Sequence, residues 1–216
     1  MKGVVIWDWN GTLLDDTISA VDALNIMLKK RSLKSVSLEF YKSRFRFPAR
    51  EFYKEIGITV PDSEWDDLAK EYHDTYAKMR SSLAVDAREA LEIVASAGIR
   101  QTIASAMRQD LLDAGVSRFG IRSYFADVRG SDNLDGAGKV ATVRALVESE
   151  ISAAGGEAVK FLMIGDSIHD KEVADALGLE CVLCACGGHS AERLSAVSET
   201  VLTLTAAATR AVSLLQ

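Results

Sequence analysis

Four side chains suited to a metal-assisted reaction lie at or near the ends of predicted strands. Three of them follow a strand directly or after one glycine: Asp8 after 4–7, Ser105 after 99–104, and Asp166 after 159–164. The fourth, Asp170, lies four residues after Asp166. Because the carboxyl ends of parallel strands share one edge of a sheet, we expect these side chains to converge there. Clustered carboxylates suit a hard divalent cation, most simply Mg²⁺, with water and phosphate oxygens as further ligands.

Strands and helices alternate along most of the chain, and this alternation predicts how the four side chains are held. Two further strands are predicted at 124–128 and 181–185, and helices are predicted at 87–97, 109–114, 139–148, 170–177 and 205–215. Such alternation is typical of βα units in a mostly parallel sheet with helices on both faces. The predicted fold class is therefore α/β.

The segment after the first strand has a purely helical pattern. Four helices are predicted there, at 16–31, 38–41, 49–56 and 61–76, with Asp16 or Thr17 as the cap of the first and Ser37 as the cap of the second. No strand is predicted between 16 and 80. We therefore expect a core domain of residues 1–14 and 84–216, interrupted by an all-helical insertion of residues 15–83.

Composition and charge are those of an ordinary globular protein. The 216 residues are 48% hydrophobic and 26% charged, which is ordinary for such a protein. The 25 basic and 31 acidic residues give a net charge of −6, which argues against nucleic acid as a partner. No apolar run approaches the roughly 18 residues that span a membrane, and Asp8 interrupts the first apolar stretch too early for a signal peptide. We expect a cytoplasmic monomer or homodimer.

The three cysteines, Cys181, Cys184 and Cys186, lie in or just after one predicted strand. The period of two residues places Cys184 and Cys186 on one face of that strand and Cys181 on the other. Free cysteine is among the most buried residue types, so small buried thiols are the main interpretation. The alternative is a metal site that includes His189, although tetrahedral sites normally need a fourth ligand and a loop spacing.

The motifs resemble those of the haloacid dehalogenase-like hydrolases over nearly the whole chain. The first motif of that family, DxDxT, is similar to DWNGT at 8–12, and the fourth, GDxxxD, is similar to GDSIHD at 165–170. Ser105 matches the second motif and Lys139 the third, although single residues of these types are common. The resemblance implies a Rossmann-like core and a helical cap after the first motif, as in the phosphoglycolate phosphatase-like members.

The resemblance also implies a role for each site residue. Asp8 would attack phosphorus and carry an aspartyl-phosphate that water then hydrolyses. Mg²⁺ would be held by Asp8, Asp166 and the backbone carbonyl of Asn10, with Asp170 orienting the metal shell. The groups that would bind the substrate's phosphate are Thr12, Ser105, Ala106 and Lys139. The implied activity is a Mg²⁺-dependent phosphatase acting on a small phosphorylated metabolite.

Position 10 departs from the family pattern. The family's phosphatases usually carry Asp where this chain has Asn10, and that Asp serves as general acid for the leaving group and general base for water. An amide does neither at neutral pH, and general acid–base catalysis is worth roughly 10²–10⁴-fold in rate. We therefore expect slow turnover or a bias toward good leaving groups, with His169 as another candidate base. Alternative functions are carbon–phosphorus hydrolysis with a cap lysine, phosphoryl transfer, and non-catalytic phosphate binding.

The helical insertion is expected to choose the substrate, because a cap can close over the site and exclude water. Residues 44–50 carry three arginines, two phenylalanines and a proline. Since arginine suits a carboxylate or a second phosphate, Arg46 or Arg50 is predicted to face the site. The alternative is a solvated basic turn.

Overall fold

The computed structural model of the protein describes residues 2–131 and 139–216. Its described residues form eight strands: β1 (Lys2–Trp7), β2 (Leu14–Asp15), β3 (Ser82–Leu83), β4 (Arg100–Arg108), β5 (Asp127–Ser131), β6 (Val159–Gly165), β7 (Glu180–Cys184) and β8 (Thr200–Val201). Six of them make one parallel sheet in the order β5-β4-β1-β6-β7-β8. The lysine of the third motif is described, but the preceding residues 132–138 lie outside the described ranges.

The same residues form ten α-helices: α1 (Thr17–Lys30), α2 (Leu38–Arg44), α3 (Ala49–Glu55), α4 (Trp65–Tyr76), α5 (Ala87–Ser96), α6 (Gln109–Arg118), α7 (Val140–Ala153), α8 (Ile168–Leu177), α9 (Ala191–Ser195) and α10 (Leu204–Leu215). Two hydrophobic clusters cover the two faces of the sheet, one with α5, α6 and α10 and the other with α7 and α8. The side chains of β1 alternate between the clusters, since Val5 and Trp7 belong to the first and Val4 and Ile6 to the second. The α/β prediction is thereby confirmed.

Strand β1 lies at the point where the strand order reverses. Its neighbours are β4 on one side and β6 on the other. In the sequence β6 comes after both β4 and β5, which lie together on the other side of β1. A crevice opens beyond the carboxyl ends of the strands at such a reversal, and ligands of open α/β sheets bind there. Asp8 immediately follows β1, and its backbone N–H donates to the carbonyl of Ile164 at 2.8 Å, which fixes it beside the end of β6.

The four helices α1 to α4 pack around a hydrophobic cluster of their own, whose fully buried members include Leu24, Met27 and Phe52. Strands β2 and β3 pair antiparallel where the chain enters and leaves this helical segment. The N-cap predicted for α2 is confirmed, because the Ser37 hydroxyl accepts from the Phe40 backbone N–H at 3.0 Å. We call α1 to α4 the cap; the domain boundaries at 15–83 stay a prediction.

Several local predictions differ from the structure at the ends of elements. The strand predicted at 124–128 lies instead at Asp127–Ser131, because Arg122–Tyr124 forms a 3₁₀ turn closed by the Phe125 N–H on the Arg122 carbonyl at 3.2 Å. Strand β4 does not end before Ser105 but continues to Arg108, with a shift in its pairing with β5 after Ala104. The short elements α9 and β8 had no predicted counterpart.

The cysteine strand follows the predicted periodicity. Cys184 is fully buried in the cluster of α5, α6 and α10, whereas Cys181 packs against the opposite cluster. All three thiols are free. Within the described ranges, the cysteines and His189 do not bring three ligand atoms close enough to share an ion, so the metal interpretation of this strand is wrong. Among the helices described, none is both long and apolar enough to cross a bilayer.

Candidate active site

Three buried carboxylates meet at the edge of the sheet beside β1. One ligand oxygen from each of Asp8, Asp166 and Asp170 lies within 4.8 Å of the others, and the three residues are 8%, 3% and 0% exposed. Asp8 and Asp166 follow the neighbouring parallel strands β1 and β6, and Asp170 stands in the first turn of α8. The convergence predicted from strand ends therefore exists.

Lys139 supplies the positive charge of this cluster. Its ammonium lies 2.7 Å from Asp8 Oδ1 and also pairs with Asp170 Oδ1, and the lysine side chain is 4% exposed. It occupies the N-cap position of α7, so that the helix begins one residue after the predicted start at 139. Three carboxylates and one ammonium leave a formal charge of −2, which a divalent cation would neutralise.

The carboxylates of this cluster have different pKa values because their surroundings differ. Burial raises the pKa of Asp8 to about 6, against the opposing effect of Lys139. Burial and the neighbouring charges of Asp8 and Asp170 raise the pKa of Asp166 well above its usual value. Burial also acts on Asp170, but Lys139 and the donors of Ser167 outweigh it and lower the pKa of that carboxyl. Asp170 is therefore the carboxylate that stays ionised and paired with Lys139. The negative charges of Asp8 and Asp166 are not fully balanced by this one lysine.

Asp166 is held by hydrogen bonds from the first motif and from the loop after β7. Thr12 Oγ1 donates to Asp166 Oδ1 at 3.0 Å, and the Gly188 N–H donates to Asp166 Oδ2. Gly11 has φ +75°, and a β-carbon there would overlap the Asp166 carboxylate, so both its conformation and its neighbour require glycine. Thr12 is fully buried and lies outside the cavity lining, and its hydroxyl holds Asp166; its predicted contact with substrate stays a prediction.

The fourth motif holds Asp170 through a capping box at the start of α8. The Ser167 N–H and hydroxyl donate to Asp170 Oδ2 at 3.0 and 2.7 Å, and the Ser167 side chain caps the helix in return. A β-carbon on Gly165 would overlap the Asp170 carboxyl group. The spacing of GDxxxD therefore places one carboxylate at the strand end and the second one helical turn away.

Ser105 and Ala106 line the same cavity from β4, the strand next to β1. The Ser105 hydroxyl accepts from the Met107 N–H at 3.0 Å and donates to Asn10 Oδ1 at 3.3 Å. These contacts fix the hydroxyl at the cavity wall beside Asn10. The position agrees with the predicted contact to phosphate, which stays a prediction.

Asn10 belongs to a hydrogen-bonded network that joins the core to the cap. Its amide donates from Nδ2 to Asp16 Oδ2 at 2.7 Å and to the Tyr76 hydroxyl at 3.2 Å. The Gly11 N–H donates to Asp16 Oδ1 at 2.7 Å, and the Tyr76 hydroxyl donates to Asp16 Oδ2. Burial raises the pKa of Asp16, although the Tyr76 and Asn10 hydrogen bonds oppose that rise.

This network corrects the prediction that Asp16 caps α1. Asp16 stands at the N-cap position, but among the described residues its carboxylate accepts no capping hydrogen bond from α1. Both of its oxygens are engaged by position 10, position 11 and α4 instead. Neither Asp16 nor Tyr76 was predicted as a site residue, because only the folded cap brings Tyr76, 60 residues away, to Asp16.

A cavity of about 230 Å³ extends from the carboxylates to the cap. The side chains lining its walls include Arg108 and His73, which no motif had marked, and His169 of the fourth motif. Arg46 and Arg50 do not line it. Arg46 Nη1 lies 2.6 Å from Glu55 Oε2, and Arg50 pairs with Asp62 while its guanidinium lies 4.7 Å from the centre of the Trp65 ring. The structure therefore gives these arginines outward ion pairs and not the predicted place at the site.

His169 lines the cavity next to Asp170 but is held as a neutral side chain. Burial, and then Lys139, lower its pKa below the ordinary value. Its ring lies 4.7 Å from that of Phe47, and its Nδ1 is 3.4 Å from Glu172 Oε2. His169 thus contacts the cap and stays a candidate base.

Comparison with known proteins agrees with this geometry. The sequence profile of the family "Haloacid dehalogenase-like hydrolase" matches residues 5–184, which include all four motifs. The chain belongs to this family. Family membership makes the protein a hydrolase, and it accounts for the carboxylate cluster at the end of β1.

Relatives of this hydrolase extend over nearly its whole length. A phosphoglycolate phosphatase of Mesorhizobium japonicum is 27% identical over 188 residues, covering 84% of this chain and 82% of that protein. A predicted phosphatase from Clostridium acetobutylicum has the same fold, with a TM-score of 0.81 at 18% identity over 99% of both chains. Protein Tyrosine Kinase A of Mycobacterium tuberculosis also has this fold, with a TM-score of 0.69 at 22% identity over 93% of this chain and 91% of that one. The fold alone therefore does not distinguish hydrolysis from phosphoryl transfer.

Proposed function

We propose that the protein is a Mg²⁺-dependent phosphatase that hydrolyses a small organic phosphate monoester through an aspartyl-phosphate on Asp8. The observation that carries this proposal is the Asp8 carboxylate, placed at the floor of the cavity with Lys139 2.7 Å from one of its oxygens. The similarity to a phosphoglycolate phosphatase supports a phosphate monoester as the substrate class.

The residues fit a divalent cation. Asp8 and Asp166 present buried oxygens near one another, and burial, together with the charges of neighbouring carboxylates, raises the pKa of both. We propose that these two carboxylates, with the Asn10 backbone carbonyl, hold Mg²⁺, and that Asp170 orients the site through Lys139. When bound, the cation would lower the repulsion between the carboxylates and an incoming phosphate.

The side chains divide the work of the reaction as follows. Asp8 forms a bond to phosphorus as the ester P–O bond breaks, and water then hydrolyses the aspartyl-phosphate and restores the carboxylate. Lys139 and Ser105, with the backbone at Ala106, bind the phosphoryl oxygens and stabilise the charge that develops on them. Because Asn10 offers no acidic proton, the departing alcohol takes its proton from solvent or from another group.

Phosphoryl transfer is the second candidate, and Asn10 is the observation that favours it. A site without a carboxylate at position 10 activates water poorly, so the aspartyl-phosphate would live long enough to meet another acceptor. Carbon–phosphorus hydrolysis with a cap lysine has less support, since Lys139 is the only lysine among the described residues that line the cavity.

Metal dependence is the test of the proposed function. The purified protein is expected to release phosphate from 4-nitrophenyl phosphate with Mg²⁺ and to lose at least about 10²-fold in rate with excess chelator, because two uncompensated carboxylates would repel the substrate. Added Mg²⁺ in excess of the chelator should restore the rate. Phosphate release that is equal with and without the metal would contradict the proposal.

A further inference from the structure

The wall of the cavity that faces the carboxylates is built from the cap and is aromatic. Six cap side chains line it besides Tyr76: Tyr41, Phe45, Phe47, Tyr53, Trp65 and Tyr72. Several of these rings contact one another: Tyr41 and Phe45 are stacked with centroids 4.7 Å apart, and Tyr53 and Trp65 are tilted with centroids 5.8 Å apart. Such a surface favours a flat or apolar group, because burying it removes apolar area from water and adds ring contacts.

This aromatic wall offers no cation to a second anionic group of a substrate. Arg46 and Arg50 of the segment between α2 and α4 do not line the cavity and pair with Glu55 and Asp62. Arg108 lines the cavity from the end of β4, but its Nε and Nη2 lie 2.5 and 2.8 Å from the two oxygens of Asp110. A carboxylate or a second phosphate bound against the cap would therefore lose its hydration without gaining an ion pair, which is unfavourable.

Three phenol hydroxyls give the aromatic wall a limited capacity for hydrogen bonds. Tyr41, Tyr53 and Tyr72 line the cavity, and none of their hydroxyls has a hydrogen-bond partner within the described ranges. Burial raises the pKa of each, so that all three stay protonated at neutral pH. The cavity thus presents neutral hydrogen-bonding groups to a molecule whose phosphate lies on the carboxylate side.

We propose that the alcohol released by this enzyme is uncharged and carries an aromatic ring, with at least one polar substituent that meets the cap tyrosines. The inference rests on the proposed phosphatase activity and defines the substrate class of the same site. It separates this protein from its phosphoglycolate phosphatase relative, whose named substrate carries a carboxylate in place of a ring.

The first test compares substrates whose leaving groups are all alkyl alcohols, so that leaving-group chemistry does not decide the result. With Mg²⁺ present, kcat/KM for benzyl phosphate is expected to exceed that for 2-phosphoglycolate by roughly 10- to 100-fold, as burial of one ring implies. Glucose 6-phosphate, a ring with many hydroxyls, is expected to be poorer than benzyl phosphate. A higher kcat/KM for either of the other two compounds would overturn the inference while leaving the phosphatase proposal intact.

The second test concerns the hydroxyls. In the wild type, 3-hydroxybenzyl phosphate is expected to have a higher kcat/KM than benzyl phosphate. Tyr41→Phe, Tyr53→Phe or Tyr72→Phe should reduce that ratio by about two- to tenfold, as one hydrogen bond implies. The ratio is measured within each variant, so that a change in the amount of folded enzyme cancels. Tyr124→Phe is the matched control, because its hydroxyl pairs with Glu92 outside the cavity.

The outcomes separate the two proposals. A ratio that none of the three cavity variants changes would contradict the role of the tyrosine hydroxyls. If no phosphate is released from any ester in the presence of Mg²⁺, the phosphatase proposal is wrong, and the inferred substrate class is then wrong as well.

Discussion

Asp8→Asn is expected to reduce phosphate release by at least roughly 10³-fold, because the substitution removes the nucleophilic charge while keeping the size of the side chain. The measurement is kcat with Mg²⁺ and a saturating aryl phosphate. The fold is expected to survive, since a buried carboxyl whose pKa is raised to about 6 is replaced by a neutral group and Lys139 keeps its pairing with Asp170. The melting temperature of the variant should therefore remain close to that of the wild type or exceed it.

Asp15→Asn provides the matched control for this loss. Asp15 is exposed in the short strand β2 and lies outside the cavity lining, so the same chemical change there should leave kcat unchanged. An Asp8→Asn variant that is folded and retains wild-type kcat would rule out Asp8 as the nucleophile.

The double substitution Asn10→Asp with Asp16→Asn is expected to raise kcat/KM for an alkyl phosphate by roughly 10²-fold, the lower end of general acid–base catalysis. The two side chains exchange places, so that the carboxylate moves from position 16 to position 10 and the amide from position 10 to position 16. The 2.7 Å hydrogen bond between the two positions therefore still joins one amide to one carboxylate. The Tyr76 hydroxyl still finds an acceptor in this arrangement. The new carboxylic acid stands beside Ser105, where it can protonate the departing alcohol.

Asn10→Asp alone is expected to gain much less. It would set a second carboxylate at hydrogen-bond distance from Asp16, whose pKa is already raised by burial, and the two groups would have to share a proton. Asp16→Asn alone replaces one of the two acceptor oxygens by an amide NH₂ group, so that Asn10 and Tyr76 lose the oxygen they share or Gly11 loses its own. It should loosen the cap without any gain in rate.

Leaving-group dependence measures whether the acid has been restored. Across a series of aryl and alkyl phosphates, the wild-type rate should fall steeply as the pKa of the leaving alcohol rises, and the double variant should show a shallower slope. A wild-type rate that is insensitive to this pKa, together with no gain from either Asn10→Asp variant, would show that Asn10 does not limit the reaction.

The core of the site could be predicted from sequence because its positions follow from strand ends. An apolar segment ends at or near each of Asp8, Asp166 and Ser105. Parallel strands bring their carboxyl ends to one edge of the sheet, and this does not depend on the sequence of the helical insertion. Asp170 followed from its spacing to Asp166, since four residues at the start of a helix make one turn. Their convergence in the structure depends only on strand order.

The cap side of the site could not be predicted in the same way. Whether Arg46 or a neighbouring aromatic residue faces the cavity depends on how α2 and α3 pack on the core, and helical periodicity alone gives a face without saying what that face meets. The contact of Asp16 with Tyr76 spans the whole helical segment. Because a carboxylate directly before a helix commonly caps that helix, Asp16 was predicted as a cap and not as a residue of the site.

The covalent intermediate on Asp8 tests the central claim most directly. The wild-type protein is mixed with Mg²⁺ and an aryl phosphate, quenched in acid during turnover, digested, and analysed by mass spectrometry beside Asp8→Asn. The proposed mechanism predicts a gain of one phosphoryl group on the peptide that contains Asp8, labile to base and absent from the variant. Turnover without any phosphoryl group on that peptide, or with the group on another residue, would contradict it.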